Sequence, residues 1–200
     1  RKWHATSDMA KSAIMTLSAG ERPAPSAIQD CFHSIRDGEV DEAQIAAFLT
    51  ARKMRGEQVD DIAAAAYVMR EKALTMTAPD IAMDIVGTGG DGFGTYNIST
   101  ACAFVVAGCG IPVAKHGNKA VSSKSGAADV LSSLGIKLDC EISLIKRALA
   151  EANITFLMAT RDHAAMRHVG PVRASLGVRT IFNLLGPLSN PALVKRIMVG

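Results

Sequence analysis

GTGGDGFGTYNIST, residues 87–100, holds five glycines in fourteen positions, follows the short apolar run Ile85–Val86 and opens onto an apolar helical pattern from Ala101. A segment so poor in side chains, set between a strand and a helix, lets backbone N–H groups crowd around an anion with the helix dipole behind them. Asp91 in the same loop is out of place beside bare phosphate and suits a metal ion or a sugar hydroxyl. One strand–helix–strand unit further on, KHGNKAVSSKS at 115–125 forms a second polar loop. Two such loops at neighbouring strand ends describe a site for a large, multiply charged phosphate ester, because open α/β sheets bind ligands at the C-terminal ends of their strands.

Outward from these loops, strands and helices alternate. The pattern predicts a strand at Met83–Val86, a helix from Thr100 to Ala107 capped by Ser99, and a strand at Ile111–Ala114. A helix follows from Gly126 to Leu134, capped by Ser125 and ended by Gly135. Next come an amphipathic helix over 141–151 and a strand at Ile154–Met158. Residues 163–176 read as helical with an interruption at Pro171, and NLLGPLSNP at 183–191 as a turn-rich loop. Before Thr77-Ala78-Pro79 nothing is strand-like. Pro25 opens a helix with Ile28, Cys31, Phe32 and Ile35 on one side, Asp41 and Gln44 make a capping box, and Val59–Glu71 is a third helix. The expected fold is therefore α/β: a small N-terminal helical subdomain at 22–76 beside a mostly parallel-sheet domain at 77–200. Residues 1–21 read as a weakly helical N-terminal extension. The final LVKRIMVG reads as a strand, so the α/β domain is expected to be truncated before its natural C-terminus.

The 200 residues are 48% hydrophobic with a net charge of +3, enough for a substantial core and too mild a surplus for a dedicated nucleic-acid protein. Aromatics are only 4%, too few for a base-stacking surface. No apolar run is long enough to cross a bilayer. The four cysteines at 31, 102, 109 and 140 form no CxxC pair and read as reduced core thiols of a cytoplasmic protein, with Cys102 and Cys109 sharing one buried helix face.

Within the loops, the glycine spacing fits neither GxGxxG nor GxxxxGK[ST]. Asn97, Ser99 and Thr100 place amide and hydroxyl donors at a helix start, where Ser99 serves equally as a simple N-cap. Lys115 offers a point charge for phosphate. His116 reads either as a general base or as a hydrogen-bonded positioning residue. Ser122 and Ser123 add hydroxyls, Lys124 a second charge, and Lys119 a loop-surface charge. In the basic stretch 163–173, Arg173 offers a forked clamp for a carboxylate, and His163 shares a helix face with Arg167. No His/Cys arrangement has metal-ligand spacing, and no GxSxG elbow exists.

At GTGGD (87–91), NIST (97–100), KHGN (115–118), SSKSG (122–126), ADVL (128–131) and VRTIFNLLGPLSNPA (178–192), and at GEVDEAQIAAFL (38–49), the chain resembles the anthranilate phosphoribosyltransferase family. The resemblance covers residues 22–200. It implies a helical domain beside an α/β domain and homodimers paired through the helical domains. It also implies transfer of phosphoribosyl from 5-phosphoribosyl-1-pyrophosphate to the amine of anthranilate with Mg2+. By the same resemblance, Gly87, Gly90, Asp91, Thr95, Asn97, Ile98, Ser99 and Thr100 of the first loop would hold the donor. Lys115, His116, Gly117, Asn118, Lys119, Ala120, Val121, Ser122 and Ser123 of the second would do so too, with Ala127 beside them. Ser99 would also touch magnesium. Gly87, Asn118, His163, Arg173, Gly186 and Pro187 would hold anthranilate. Lys115, His116, Asp91 and Arg173 are the candidates for catalytic work, although an aromatic amine has its lone pair free at neutral pH and needs no strong base.

The chain departs from the family pattern at Ala127, where a serine is usual, and at Met158-Ala159-Thr160 and Ala164, where prolines are common. The family's second magnesium site, an adjacent Asp-Glu pair, would fall past residue 200. Two alternatives share the scaffold: a phosphoribosyltransferase with another aromatic acceptor, and a pyrimidine nucleoside phosphorylase. A nucleic-acid-binding member of the fold would need a basic groove that the scattered lysines do not provide.

Overall fold

The structure, a computed structural model, describes residues 2–71, 75–89, 96–119, 125–159 and 165–200. In chain order its helices are α1 (Lys2–Ser18), α2 (Pro25–Arg36), α3 (Glu42–Arg55), α4 (Val59–Glu71), α5 (Ile98–Gly108), α6 (Ala127–Ser133), α7 (Ile142–Ala152), α8 (Ala165–Leu176) and α9 (Phe182–Leu188). The strands are β1 (Met83–Val86), β2 (Val113–Gly117), β3 (Ile154–Met158) and β4 (Arg196–Val199). The chain divides into two compact units, Arg1–Lys72 with His163–Leu185, and Ala73–Asp162 with Gly186–Gly200. Gly90, Asp91, Thr95, Ala120, Val121, Ser122, Ser123 and His163 lie outside the described residues.

The first unit is helical. Pro25 starts α2, Asp41 accepts the N–H of Gln44 at 2.8 Å to cap α3, and Arg52, Lys53 and Arg55 sit in the last turn of α3, where the dipole favours cations. Ile28, Phe32, Ile35, Ile45, Phe48 and Leu49 form its core, with Phe32 edge-on to Phe48 and to Phe182. Inside this core the thiol of Cys31 is pushed up to about 12 by burial, against the pull of Arg52, and stays protonated. The unit is wider than the 22–76 expected from sequence. Ala10, Ala13 and Leu17 of α1 are buried in the same core, so α1 is packed rather than an extension, and Val169, Val172, Ile181 and Leu185 join it from the distant stretch. An apolar helix side far along the chain completes a core that local periodicity cannot assign.

The second unit is a four-stranded parallel sheet in the order β3-β2-β1-β4. Ile85 and Val113 face α5 through Ala103 and Ala107, and Phe156 faces Ala128 and Leu131 of α6. On the opposite face Ala114 and Leu157 pack under Ile145 and Leu149 of α7.

Several local expectations change. β2 runs to Gly117, not Ala114, because its ladder with β3 continues through His116↔Leu157 to Gly117↔Met158. Residues 182–188 are helical, not a loop: Ile181, Phe182 and Leu185 bury one side, and Asn183 Oδ1 accepts the Thr180 N–H at 3.0 Å at its start. Asn97, not Ser99, holds the N-cap position of α5, and Gly126, not Ser125, that of α6. Cys109 follows the end of α5 and is exposed, so it shares no buried face with Cys102. No helix among the described residues is long and apolar enough to cross a membrane.

Candidate functional site

β1 and β2 are parallel neighbours, so the segments that leave them, from Gly87 and from Asn118, start at the same end of the sheet. Each leads to a helix that packs back on the same face. The two helix starts are joined directly: Asn97 Nδ2 donates to the Ser125 carbonyl and to its hydroxyl, each at 3.3 Å. Ile98, Ser99 and Thr100 make the first turn of α5. Ile98 is exposed, Ser99 half-buried and Thr100 buried. The hydroxyl of Ser99 thus stands where the helix dipole favours anions.

The second segment is tightly built. Lys115 and His116 are strand residues, each 3% exposed, rather than loop residues. The Lys115 ammonium lies across the sheet on the Ile85 carbonyl at 2.6 Å, and His116 Nδ1 lies 3.2 Å from the Gly186 carbonyl oxygen. Burial lowers the Lys115 pKa, while the neighbouring Asp84 raises it. A Cβ at Gly117 would meet the Phe156 ring at 2.9 Å and the Ala127 methyl at 3.3 Å, so the strand end needs glycine to pass between β3 and α6. Asn118 turns the chain: its Oδ1 accepts the Lys119 N–H at 2.8 Å and its carbonyl accepts the Ala128 N–H at 3.2 Å. Lys119 is exposed.

Of the residues expected around an acceptor, Gly87, Asn118, Gly186 and Pro187 belong to the α/β unit and Arg173 to the helical unit. Arg173 is half-buried, its guanidinium 5.9 Å from the centre of the Phe182 ring, and burial lowers its pKa. Two residues escaped the sequence reading, Asp84 and Asn190. Both are buried and hydrogen-bonded to each other at 2.8 Å. The signal for Asp84 was an acidic residue inside the apolar strand MDIV. Asn190 gave none beyond its place in a turn-rich stretch.

Comparison with known proteins divides the chain at nearly the same place after α4, but counts 163–185 with the α/β domain rather than with the helical unit. The glycosyl transferase family helical bundle domain matches residues 11–73, and the glycosyl transferase family a/b domain matches residues 79–200. Anthranilate phosphoribosyltransferase of Azospirillum brasilense is 55% identical over 190 residues, 95% of this chain and 53% of that protein. The Chelativorans enzyme of the same name is also 55% identical, over 95% of this chain and 56% of its own length. The chain thus spans about half the length of the curated relatives it matches. Among solved structures, anthranilate phosphoribosyltransferase from Thermus thermophilus is 44% identical with a TM-score of 0.86, covering 94% of this chain and 57% of that one. The Saccharomyces cerevisiae enzyme in complex with PRPP and Mg is 30% identical with a TM-score of 0.85, covering 96% and 58%. With the a/b domain matched from residue 79 to the last residue and the helical bundle domain before it, the chain belongs to the glycosyl transferase family that joins these two domains.

Proposed function

We propose that the whole protein transfers the 5-phosphoribosyl group of 5-phosphoribosyl-1-pyrophosphate to the amine of anthranilate, releasing pyrophosphate, as in the second step of tryptophan biosynthesis. The observation that carries this reading is the Asn97–Ser125 link, which joins the starts of two helices that follow neighbouring strand ends. A donor with phosphates at both ends of a ribose is held by polar segments a fixed distance apart. The similarity to enzymes of that name, one of them solved with PRPP and Mg, supports the same reading.

In this reading the first loop, from Gly87 through Gly90, Asp91, Thr95, Asn97 and Ile98 to Thr100, and the second, from Lys115 to Ser123, hold the donor. Ala127 belongs to the same donor-binding set. Among the described residues no group of three or more His, Cys, Asp or Glu side chains could hold a metal ion. Mg2+ binds through one or two protein oxygens and the phosphates of its substrate. Ser99 would hold it, and when bound it neutralises charge on the departing pyrophosphate. Arg173 clamps the acceptor carboxylate, with His163, Gly186 and Pro187 completing the acceptor's surroundings. The amine attacks with its own lone pair, so His116 holds and orients rather than removing a proton. The protein works as a cytoplasmic homodimer paired through its helical domain.

The test is pyrophosphate release by the full-length protein with a panel of aromatic amines, with and without magnesium. Magnesium-dependent release with anthranilate is expected, and Arg173→Ala should raise the anthranilate KM about tenfold or more while leaving the donor KM nearly unchanged. No release with anthranilate sinks the reading. Release with a different aromatic amine alone would favour a changed acceptor.

A further inference from the structure

Beneath the strand ends of the α/β unit, one side chain ties together two segments of the candidate site. Asp84 is fully buried in β1. One of its carboxylate oxygens accepts the backbone N–H of His116 at 3.0 Å, and the other accepts Asn190 Nδ2 at 2.8 Å. The Asn190 amide also donates to the Ala114 carbonyl at 2.8 Å, and its Oδ1 accepts the Ala192 N–H at 2.8 Å. Above this set, the imidazole of His116 meets the Gly186 carbonyl. The segment Gly186–Ala192 is therefore held to β2 from both ends.

We infer that Asp84 is a positioning residue for phosphoribosyl transfer, its carboxylate setting the spacing between the strand end His116–Asn118 and the segment Gly186–Ala192. The inference rests on the function proposed above. It follows from the direction of each hydrogen bond. The Ala114 carbonyl requires the NH2 of Asn190 and the Ala192 N–H requires its oxygen, so the amide cannot flip. Asn190 therefore presents a donor to position 84, and His116 presents a second. Position 84 must accept twice, in two directions, from a side chain short enough to stay within the sheet. Aspartate does this, while asparagine accepts with one atom and sets a donor against a donor with the other. Burial pushes the Asp84 carboxyl up, and the bonds from Asn190 and His116, the charge of Lys115 and the Ile85 backbone oppose that shift.

The experiment uses full-length protein carrying Asp84→Asn or Asn190→Ala, with the KM of each substrate and kcat measured beside the melting temperature. Asp84→Asn loosens both segments and is expected to raise the KM of donor and of acceptor by about tenfold each. Asn190→Ala frees only Gly186–Ala192 and leaves the Asp84–His116 bond, so the acceptor KM should rise about tenfold while the donor KM stays within about twofold. A merely structural role lowers the melting temperature and the active fraction, hence apparent kcat, and leaves both KM values unchanged. That result in Asn190→Ala overturns the inference even if Asp84→Asn fails to fold. A wild-type protein that transfers nothing removes the phosphoribosyl reading and this inference with it, whereas an active wild type with unmoved KM values in the variants removes the inference alone.

Discussion

The ammonium of Lys115 donates to the carbonyl oxygen of Ile85 at 2.6 Å, within a sheet face that leaves Lys115 only 3% exposed. Burial lowers its pKa from 10.5, with Asp84 pulling the other way. A base whose folded pKa is depressed contributes stability that is fully present above its unfolded pKa and is lost as pH falls through the folded value. At neutral pH the folded protein therefore carries the cost of the buried charge.

Methionine has a similar length and no charge. Lys115→Met is expected to match or exceed the wild-type unfolding free energy at pH 7 by up to about 2 kcal/mol, and the margin should shrink as pH rises towards the unfolded lysine value. Urea denaturation across that range measures it. Under the function proposed above, the same change in the full-length protein should raise the donor KM by about tenfold or more, since Lys115 offers a charge for phosphate at the strand end from which the second loop leaves. A large loss of stability with unchanged donor binding would make Lys115 a core strut instead.

Asn97 joins the two helix starts through Ser125. Asn97→Ala removes two long, part-buried hydrogen bonds and should cost about 1 kcal/mol of stability. Its effect on function should be larger, because it ties together the two helix starts that follow the loops. The donor KM should rise more than the acceptor KM, and isothermal titration with the sugar diphosphate should show weaker binding. Equal change in both constants would deny the loops their separate role.

The order of strands and helices was legible because its cues are local. Met83–Val86 and Ile154–Met158 are short apolar runs bounded by turn residues, Val59–Glu71 carries a helical period, and all three stand where the pattern put them. What failed was whatever depends on distant partners. Lys115 and His116 look like a loop because they are polar, yet their ladder with Phe156 and Leu157 makes them strand residues, while Ile85, Asp84 and Gly186 take up their polar groups. Gly186 and Pro187 look like turn punctuation, yet Ile181, Phe182 and Leu185 find a core formed by residues far upstream and close a helix around them. Asp84 and Asn190 are invisible alone, since each is explained only by the other.

Gly38 and Gly56 follow α2 and α3 with φ of +76° and +84°, and they predict different costs for the same substitution. At Gly56 an added Cβ meets nothing within 4 Å, so Gly56→Ala costs only the backbone conformation, φ 84° with ψ 132°, about 1–3 kcal/mol. At Gly38 the Cβ would stand 2.8 Å from Cε1 of His168, whose ring fills the space. Gly38→Ala should therefore cost about 1–3 kcal/mol beyond its own backbone term, and truncating the ring in Gly38→Ala/His168→Ala should recover part of that cost. No coupling between Gly38→Ala and His168→Ala in a double-mutant cycle would mean that the histidine yields freely.

Arg52 and Asp61, 3% and 6% exposed at their side chains, form an ion pair inside the helical unit, with the guanidinium over the Phe48 ring at 5.6 Å. Removing one partner strands the other. Asp61→Ala should destabilise the unit by about 3–5 kcal/mol, because Arg52 keeps its charge where water reaches it poorly. Removing both together, in Arg52→Met/Asp61→Leu, takes away the desolvation cost along with the attraction. Asp61 has a second task, accepting the Gln58 N–H at 3.1 Å at the start of α4, and leucine cannot replace it there. The double variant should thus lose only about 1 kcal/mol, the value of a helix cap, and the coupling between the two sites should exceed about 2 kcal/mol in a double-mutant cycle read by urea unfolding. Additive single losses would show that each residue is held by its other neighbours, Phe48 for the arginine and Gln58 with Arg22 for the aspartate, and that the ion pair itself contributes nothing.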